Sequence, residues 1–229
     1  MERFLDSRVT NPGPKYLFYG RRKGKPLRAQ HQALMQNLLP QVSVDLENPL
    51  TGSGPRRVLE IGFGGGEHLA HQAALNPELS YIGAEPFLNG VAKLLAEIEA
   101  RAVTNLKVHY GDARPLLEQL PPESFERIYL LYPDPWPKER QKKRRFVNQA
   151  NLAHFARILK PKGEFLFASD IEDYVGWTRE HVTESKLFTE TGDDRQPYKD
   201  WIQTRYEAKA RREGRSSHYL TFVVNTPQA

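Results

Sequence analysis

Hydrophobic and polar positions follow two regimes along this chain, and the change comes near residue 56. Before it, Pro, Gly and polar residues dominate, and apolar spacing supports one helix, Arg28 to Leu39, just before Pro40. The stretch Asn48-Pro-Leu-Thr-Gly-Ser-Gly-Pro55 reads as loop by its composition. From Arg56 onward, short apolar and β-branched runs alternate with helical spacing. The runs predict strands at Arg57–Ile61, Ser80–Ala84, Leu106–Tyr110, Arg127–Tyr132 and Glu164–Ala168. Between them fall helices at Gly66–Leu75, Leu88–Ala102, Pro115–Gln119 and Phe146–Leu159, the last with Phe146, Leu152, Phe155 and Leu159 near one face. After Asp170 come a helix from Tyr174 to Lys186, a strand at Leu187–Thr191 and a polar loop through Asp193–Asp200. A helix at Trp201–Glu213 and a last strand at His218–Val224 follow. This rhythm predicts an α/β fold with a doubly wound, Rossmann-like sheet over residues 56–229, preceded by an extension, residues 1–55, with one helix.

Composition narrows the class. A chain of 229 residues, 39% hydrophobic and 27% charged, supports one buried core and excludes disorder over its whole length. No run approaches the roughly 18 apolar residues of a membrane span. The polar, basic start lacks the apolar segment of a secretory signal, so a cytoplasmic location is expected. With no cysteine, disulfide scaffolds, thiolate zinc sites and Cys nucleophiles are excluded together. His68 and His71 share a helical face, but there is no H-E-x-x-H motif. They are expected on the helix surface, with no metal. No G-x-S-x-G elbow offers a hydrolase nucleophile.

The net charge of +5 matters less than its placement. Lys138, Arg140, Lys142, Lys143, Arg144 and Arg145 put six cations into eight residues. A second cluster, Arg205, Lys209, Arg211, Arg212 and Arg215, lies near the C-terminus. A third, Arg21, Arg22, Lys23, Lys25 and Arg28, makes the N-terminal extension basic. Three such clusters in one small chain read as the electrostatic footprint of a polyanion, here nucleic acid.

The segment Val58-Leu-Glu-Ile-Gly-Phe-Gly-Gly-Gly-Glu-His-Leu69 carries the clearest chemistry. A buried strand ends at Ile61, glycines including Gly62 and Gly64 follow, and a helix begins, which lets backbone lie against a ligand. Such a turn alone fits dinucleotide and S-adenosylmethionine binders alike. Two details choose between them. Glu67 occupies the place where the dinucleotide fingerprint wants a small residue, and its carboxylate would repel a pyrophosphate. Glu60, on the strand before the loop, suits a cofactor that carries an ammonium and a sulfonium. At the next two strand ends, Glu85 can accept from ribose hydroxyls and Asp112, followed by Ala113, from an adenine amino group. The fourth strand runs into Tyr132-Pro-Asp-Pro-Trp-Pro-Lys138, a proline-stiffened loop that holds out Asp134 and Trp136 for a planar heterocycle.

Taken together, LEIGFGGGEH, IGAE, GDA, YPDPWPKERQKKRR and TRYEAKARREGR resemble the bacterial tRNA (guanine-N7-)-methyltransferases over roughly residues 15–224. The resemblance implies a class I methyltransferase sheet, mostly parallel with its last strand antiparallel. It also implies methyl transfer from S-adenosylmethionine to N7 of a guanine in the tRNA variable loop (position 46 in standard tRNA numbering). By the same likeness, Glu60, Gly62, Gly64, Glu85, Asp112, Ala113 and Asp134 would bind the cofactor, and Asp134 would also be catalytic. Lys138, Asp170, Thr204, Arg205, Tyr206 and Glu207 would bind substrate, and Arg140, Lys142, Lys143, Arg144 and Arg145 would contact RNA. The partner would be tRNA, and the enzyme a monomer or homodimer. Arg205-Tyr206 stands where Lys-Phe is commoner in the family, which keeps charge and ring.

Overall fold

The computed structural model describes residues 16–192 and 194–225. The start of the predicted extension (1–15), Asp193 of the predicted loop and residues 226–229 lie outside the described residues. Seven strands form one sheet in the order β3-β2-β1-β4-β5-β7-β6. They are β1 (Arg57–Ile61), β2 (Ser80–Ala84), β3 (Leu106–His109), β4 (Phe125–Leu131), β5 (Leu159–Ser169), β6 (Phe188–Thr191) and β7 (His218–Val224). β1 to β5 run parallel, and β7 pairs antiparallel with both β5 and β6. The helices are α1 (Ala29–Asn37), α2 (Leu39–Val42), α3 (Glu67–Leu75), α4 (Leu88–Arg101), α5 (Ala113–Gln119), α6 (Gln149–Ile158), α7 (Glu172–Ser185) and α8 (Arg205–Arg212).

Strand alternation divides the core into two layers. Leu59, Ile61, Ile128, Leu130, Phe165 and Phe167 face α5, α6 and α7. Val58, Tyr81, Val108, Tyr129 and Leu166 face α3 and α4, and Leu34 of α1 joins that layer. The segment before β1 is therefore packed onto the domain. Val44 N–H donates to the Val108 carbonyl at 3.0 Å, beside a bridge between Ser43 and Val108.

The departures from the predicted elements have local causes. Pro40 does not end helical structure; it sits in the first turn of α2, where its missing N–H costs nothing. α6 starts at Gln149 rather than Phe146, because Asn148 caps it by accepting from Asn151 N–H at 3.0 Å. α8 starts at Arg205 rather than Trp201, with the Thr204 side chain accepting from Glu207 N–H at 3.2 Å. The basic run, for which no element was predicted, forms a 3-10 helix over Glu139–Arg144.

Candidate active site

The strand order reverses between β1 and β4, and the loops that leave the carboxyl ends of β1 to β4 meet there. They line a cavity of about 610 Å³ that includes Gly62, Gly64, Glu85, Asp112, Ala113 and Asp134. That volume lies in the range of roughly 300–1,000 Å³ usual for small-molecule sites. Gly62, Gly64 and Gly66 take positive φ of 71°, 59° and 79°, a shape that side chains resist. Gly90 of α4 packs so close that a Cβ there would overlap the Gly64 carbonyl oxygen. The loop is thus held as a backbone cradle with open space beside Gly62.

Glu85 spans this cradle. Its Oε2 accepts from Gly64 N–H at 2.7 Å and its Oε1 from Phe87 N–H at 2.8 Å. A carboxylate has about four acceptor sites, so two remain for a pair of hydroxyls. Burial raises the Glu85 carboxyl above its ordinary value, against the lowering effect of those two N–H donors. Asp112 caps α5 by accepting from Arg114 N–H at 3.0 Å and is also held by Arg114 Nε at 3.0 Å. Asp134 stands at the cavity wall, accessible to solvent, and desolvation by the surrounding loop raises its carboxyl. On either side of it, Tyr132 and Trp136 adopt left-handed backbone, φ 48° and 43°. Such conformations cost of order 1–3 kcal/mol each and cluster where a loop aims a functional group.

The cradle, the remaining acceptors of Glu85 and the exposed carboxylate of Asp134 fit a cofactor with vicinal hydroxyls and a cationic end.

Glu60 does not reach the cavity wall. Alternation along β1 turns it to the α3 side, where its Oε2 meets His68 Nδ1 at 2.7 Å. His68, expected on the surface, is 3% exposed and lies against the rings of Tyr129 and Trp201. The helical spacing of His68 and His71 was visible in the sequence, but the carboxylate waiting beneath α3 was not.

The predicted substrate residues divide into frame and face. Thr204 caps α8, and Glu207, 1% exposed, accepts from Trp201 Nε1 at 2.7 Å and from Arg211 Nη2 at 2.8 Å. These two hold α8 so that Arg205 and Tyr206 overhang Gly64 at the cavity mouth. Tyr206 stacks on Tyr132 with centroids 6.4 Å apart. Asp170 is engaged by Arg215 Nε at 2.6 Å, and Lys138 is exposed before the 3-10 turn.

The basic run divides as well. Arg145 is 1% exposed. Its guanidinium donates to the Pro135 carbonyl at 2.8 Å, pairs with Asp173 and packs over Tyr174 and Trp177. It braces the 133–137 loop from inside. Lys142 is tied to Glu139 and Asp173 at 2.9 and 3.0 Å. Arg140 and Lys143 remain exposed. Missed altogether were Leu17 to Arg21 and Arg114, which line the same cavity. Their aromatic and basic character was visible, but their return to the sheet edge was not.

Among the described residues, no group of three or more His, Cys, Asp or Glu could hold a metal, and no helix is long and apolar enough to cross a membrane.

The strand order, the glycine cradle and the acidic strand-end loops define a class I S-adenosylmethionine-dependent methyltransferase. Solved structures share the fold: the 16S rRNA methyltransferase KamB (TM-score 0.56, 17% identity, 90% of this chain and 99% of that one) and the aminoglycoside resistance methyltransferase NpmB1 (TM-score 0.54, 16% identity, 80% and 95%). The family described as "Putative methyltransferase" matches residues 55–220. The tRNA (guanine-N(7)-)-methyltransferases of Agrobacterium fabrum and Rhizobium meliloti are 53% and 54% identical, each covering 90% of this chain and 94% of its own. The chain belongs to the tRNA (guanine-N7-)-methyltransferase family.

Proposed function

We propose that this protein, acting in the cytoplasm, methylates N7 of a guanine in tRNA, at the variable-loop position 46, with S-adenosylmethionine as donor. The observation that carries the reading is Asp134: a carboxylate on a strained loop, sharing one cavity with the glycine cradle and lying close to the exposed cations Lys138, Arg140 and Lys143. The catalytic domain is assigned to residues 56–229 and the basic extension to 1–55.

S-adenosylmethionine supplies an electrophilic methyl group on its sulfonium when bound. The backbone of Gly62 and Gly64 would cradle it, Glu85 would accept from its ribose hydroxyls, and Asp112 with Ala113 would border its adenine. Glu60 acts from below, by fixing the start of α3 through His68. Guanine N7 has a free lone pair and no proton, so no strong general base is required. Positioning is the main demand, and holding reacting atoms roughly 3–3.5 Å apart is worth several kcal/mol. As the purine becomes cationic, the Asp134 carboxylate stabilises the developing charge from a fixed position. Arg205, Tyr206 and Lys138 hold the nucleotide at the mouth, with Tyr206 offering a stacking face. Asp170 acts on the substrate side through Arg215. Arg140 and Lys143 meet phosphates.

Unmodified tRNA transcripts incubated with methyl-labelled S-adenosylmethionine test this reading through nucleoside analysis. Label is expected in 7-methylguanosine and lost when the variable-loop guanine is replaced. Label in another nucleoside, or label that survives the replacement, would overturn it.

A further inference from the structure

We infer that residues 17–21 form the outer wall of the cofactor site and that Arg144 is the positioning residue that latches this strap by stacking, not an RNA-phosphate contact. The inference rests on the proposed S-adenosylmethionine site and adds to it a segment outside the glycine loop and the strand-end acids.

The strap is pinned at both ends. At one end the Leu17 carbonyl accepts from Arg114 Nη2 at 3.1 Å, and the same guanidinium holds Asp112. At the other, Leu88 N–H at the start of α4 donates to the Arg22 carbonyl at 2.9 Å. Asn89 accepts from Gly24 N–H at 2.7 Å and donates to the Lys25 carbonyl at 2.8 Å. Between these pins the chain crosses the cavity that Glu85 and Asp134 line from the sheet side. Leu17 and Tyr19 are 60% and 44% exposed, so burial in the core does not hold them there.

What holds the middle is Arg144. Its guanidinium lies 4.2 Å from the Tyr19 ring centroid and 5.0 Å from that of Trp136, and the two rings meet edge-on at 6.3 Å. Its Nε is buried without a hydrogen-bond partner. Arg144 has given up hydration at Nε for two aromatic surfaces, a trade suited to the weakly hydrated, planar guanidinium and not to an ammonium. The contact joins the strap to the loop that carries Asp134, so the wall of the cofactor site and the aim of the catalytic loop share one side chain.

The test uses the full-length protein and the variants Arg144→Ala, Arg144→Lys, Tyr19→Ala and Tyr19→Ala/Arg144→Ala. Calorimetry reads S-adenosylmethionine affinity without tRNA, and a salt series reads tRNA binding. Each single variant is expected to weaken the cofactor about fivefold to tenfold, the scale of a partly desolvated cation–π contact. Lysine should not rescue, the double variant should be no worse than either single one, and the tRNA salt slope should be unchanged. Were Arg144 a phosphate contact, Arg144→Lys would behave as wild type and Arg144→Ala would lower the slope by just under one unit. That result overturns the latch. Equal cofactor affinity in all variants overturns it too and leaves the cofactor reading intact, whereas a wild-type protein that binds no S-adenosylmethionine overturns both. Tyr19→Ala, at an exposed position, keeps the test decisive if an Arg144 variant does not fold.

Discussion

At the scale of single residues, the site rests on carboxylates whose surroundings assign them different work. Asp134 is raised by desolvation, so ionising it costs more than in water, and its charge is lost as pH falls through a value above that of a free aspartate. Activity that needs the anion should therefore show an acid limb displaced upward from that of a free aspartate. A pH–rate profile under saturating cofactor checks this, with Asp134→Asn expected to lose most turnover and the limb with it. Asp134→Ala should abolish turnover while circular dichroism and Tm stay near wild type; near-normal rates in that variant would end the assignment. Asp112, by contrast, is paired with Arg114, and Glu60 is hydrogen-bonded to His68. Their types were legible in the sequence, but the partners that set their roles come from elements 2 and 8 residues away, and their geometry depends on how the next helix starts.

The elements show how much of the chemistry depends on packing. α3 and α4 approach the glycine loop so closely that Gly90 has no room for a side chain. Gly90→Ala should weaken S-adenosylmethionine by about tenfold or more, read by calorimetry, since a displaced Gly64 no longer meets Glu85; 1.4 kcal/mol suffices for that factor. The 3-10 turn gives a second case. A buried Arg145 and an exposed Lys143 lie two positions apart in one basic run. Arg145→Ala removes charge-assisted bonds to the Pro135 carbonyl and Asp173 along with packing over Trp177, and should cost about 1.5–3 kcal/mol in denaturant unfolding. Lys143→Ala should leave stability within about 0.5 kcal/mol.

For the whole molecule, the decisive quantity is where cations remain available once internal pairing is complete. Arg145 is consumed inside the fold, while Lys142, Arg215 and Arg211 pair at the surface with Asp173, Asp170 and Glu207. Arg140, Lys143 and Lys138 stay exposed, and Lys143 and Arg205 line the cavity. Binding of tRNA should weaken steeply with salt. Arg140→Ala and Lys143→Ala should each lower the log–log slope by just under one unit, while Arg145→Ala leaves it unchanged. A filter-binding series across salt concentrations separates these cases.

Read alone, the chain determined the order of the strands and main helices, the doubly wound sheet and the glycine loop, because periods of 2 and 3.6, loop glycines and prolines are local properties of neighbouring residues. It also supplied the acids at strand ends and the proline-stiffened loop around Asp134. Only the tertiary structure decided which charges are available. Identical-looking cations at 143, 144 and 145 become a solvent-facing lysine, a stacked latch and a buried brace, because burial and pairing depend on Tyr19, Asp173 and Tyr174, far away in sequence. The same holds for the strap at 17–21. Hydrogen bonds and desolvation act over a few ångströms of space, and the sequence records distance along the chain.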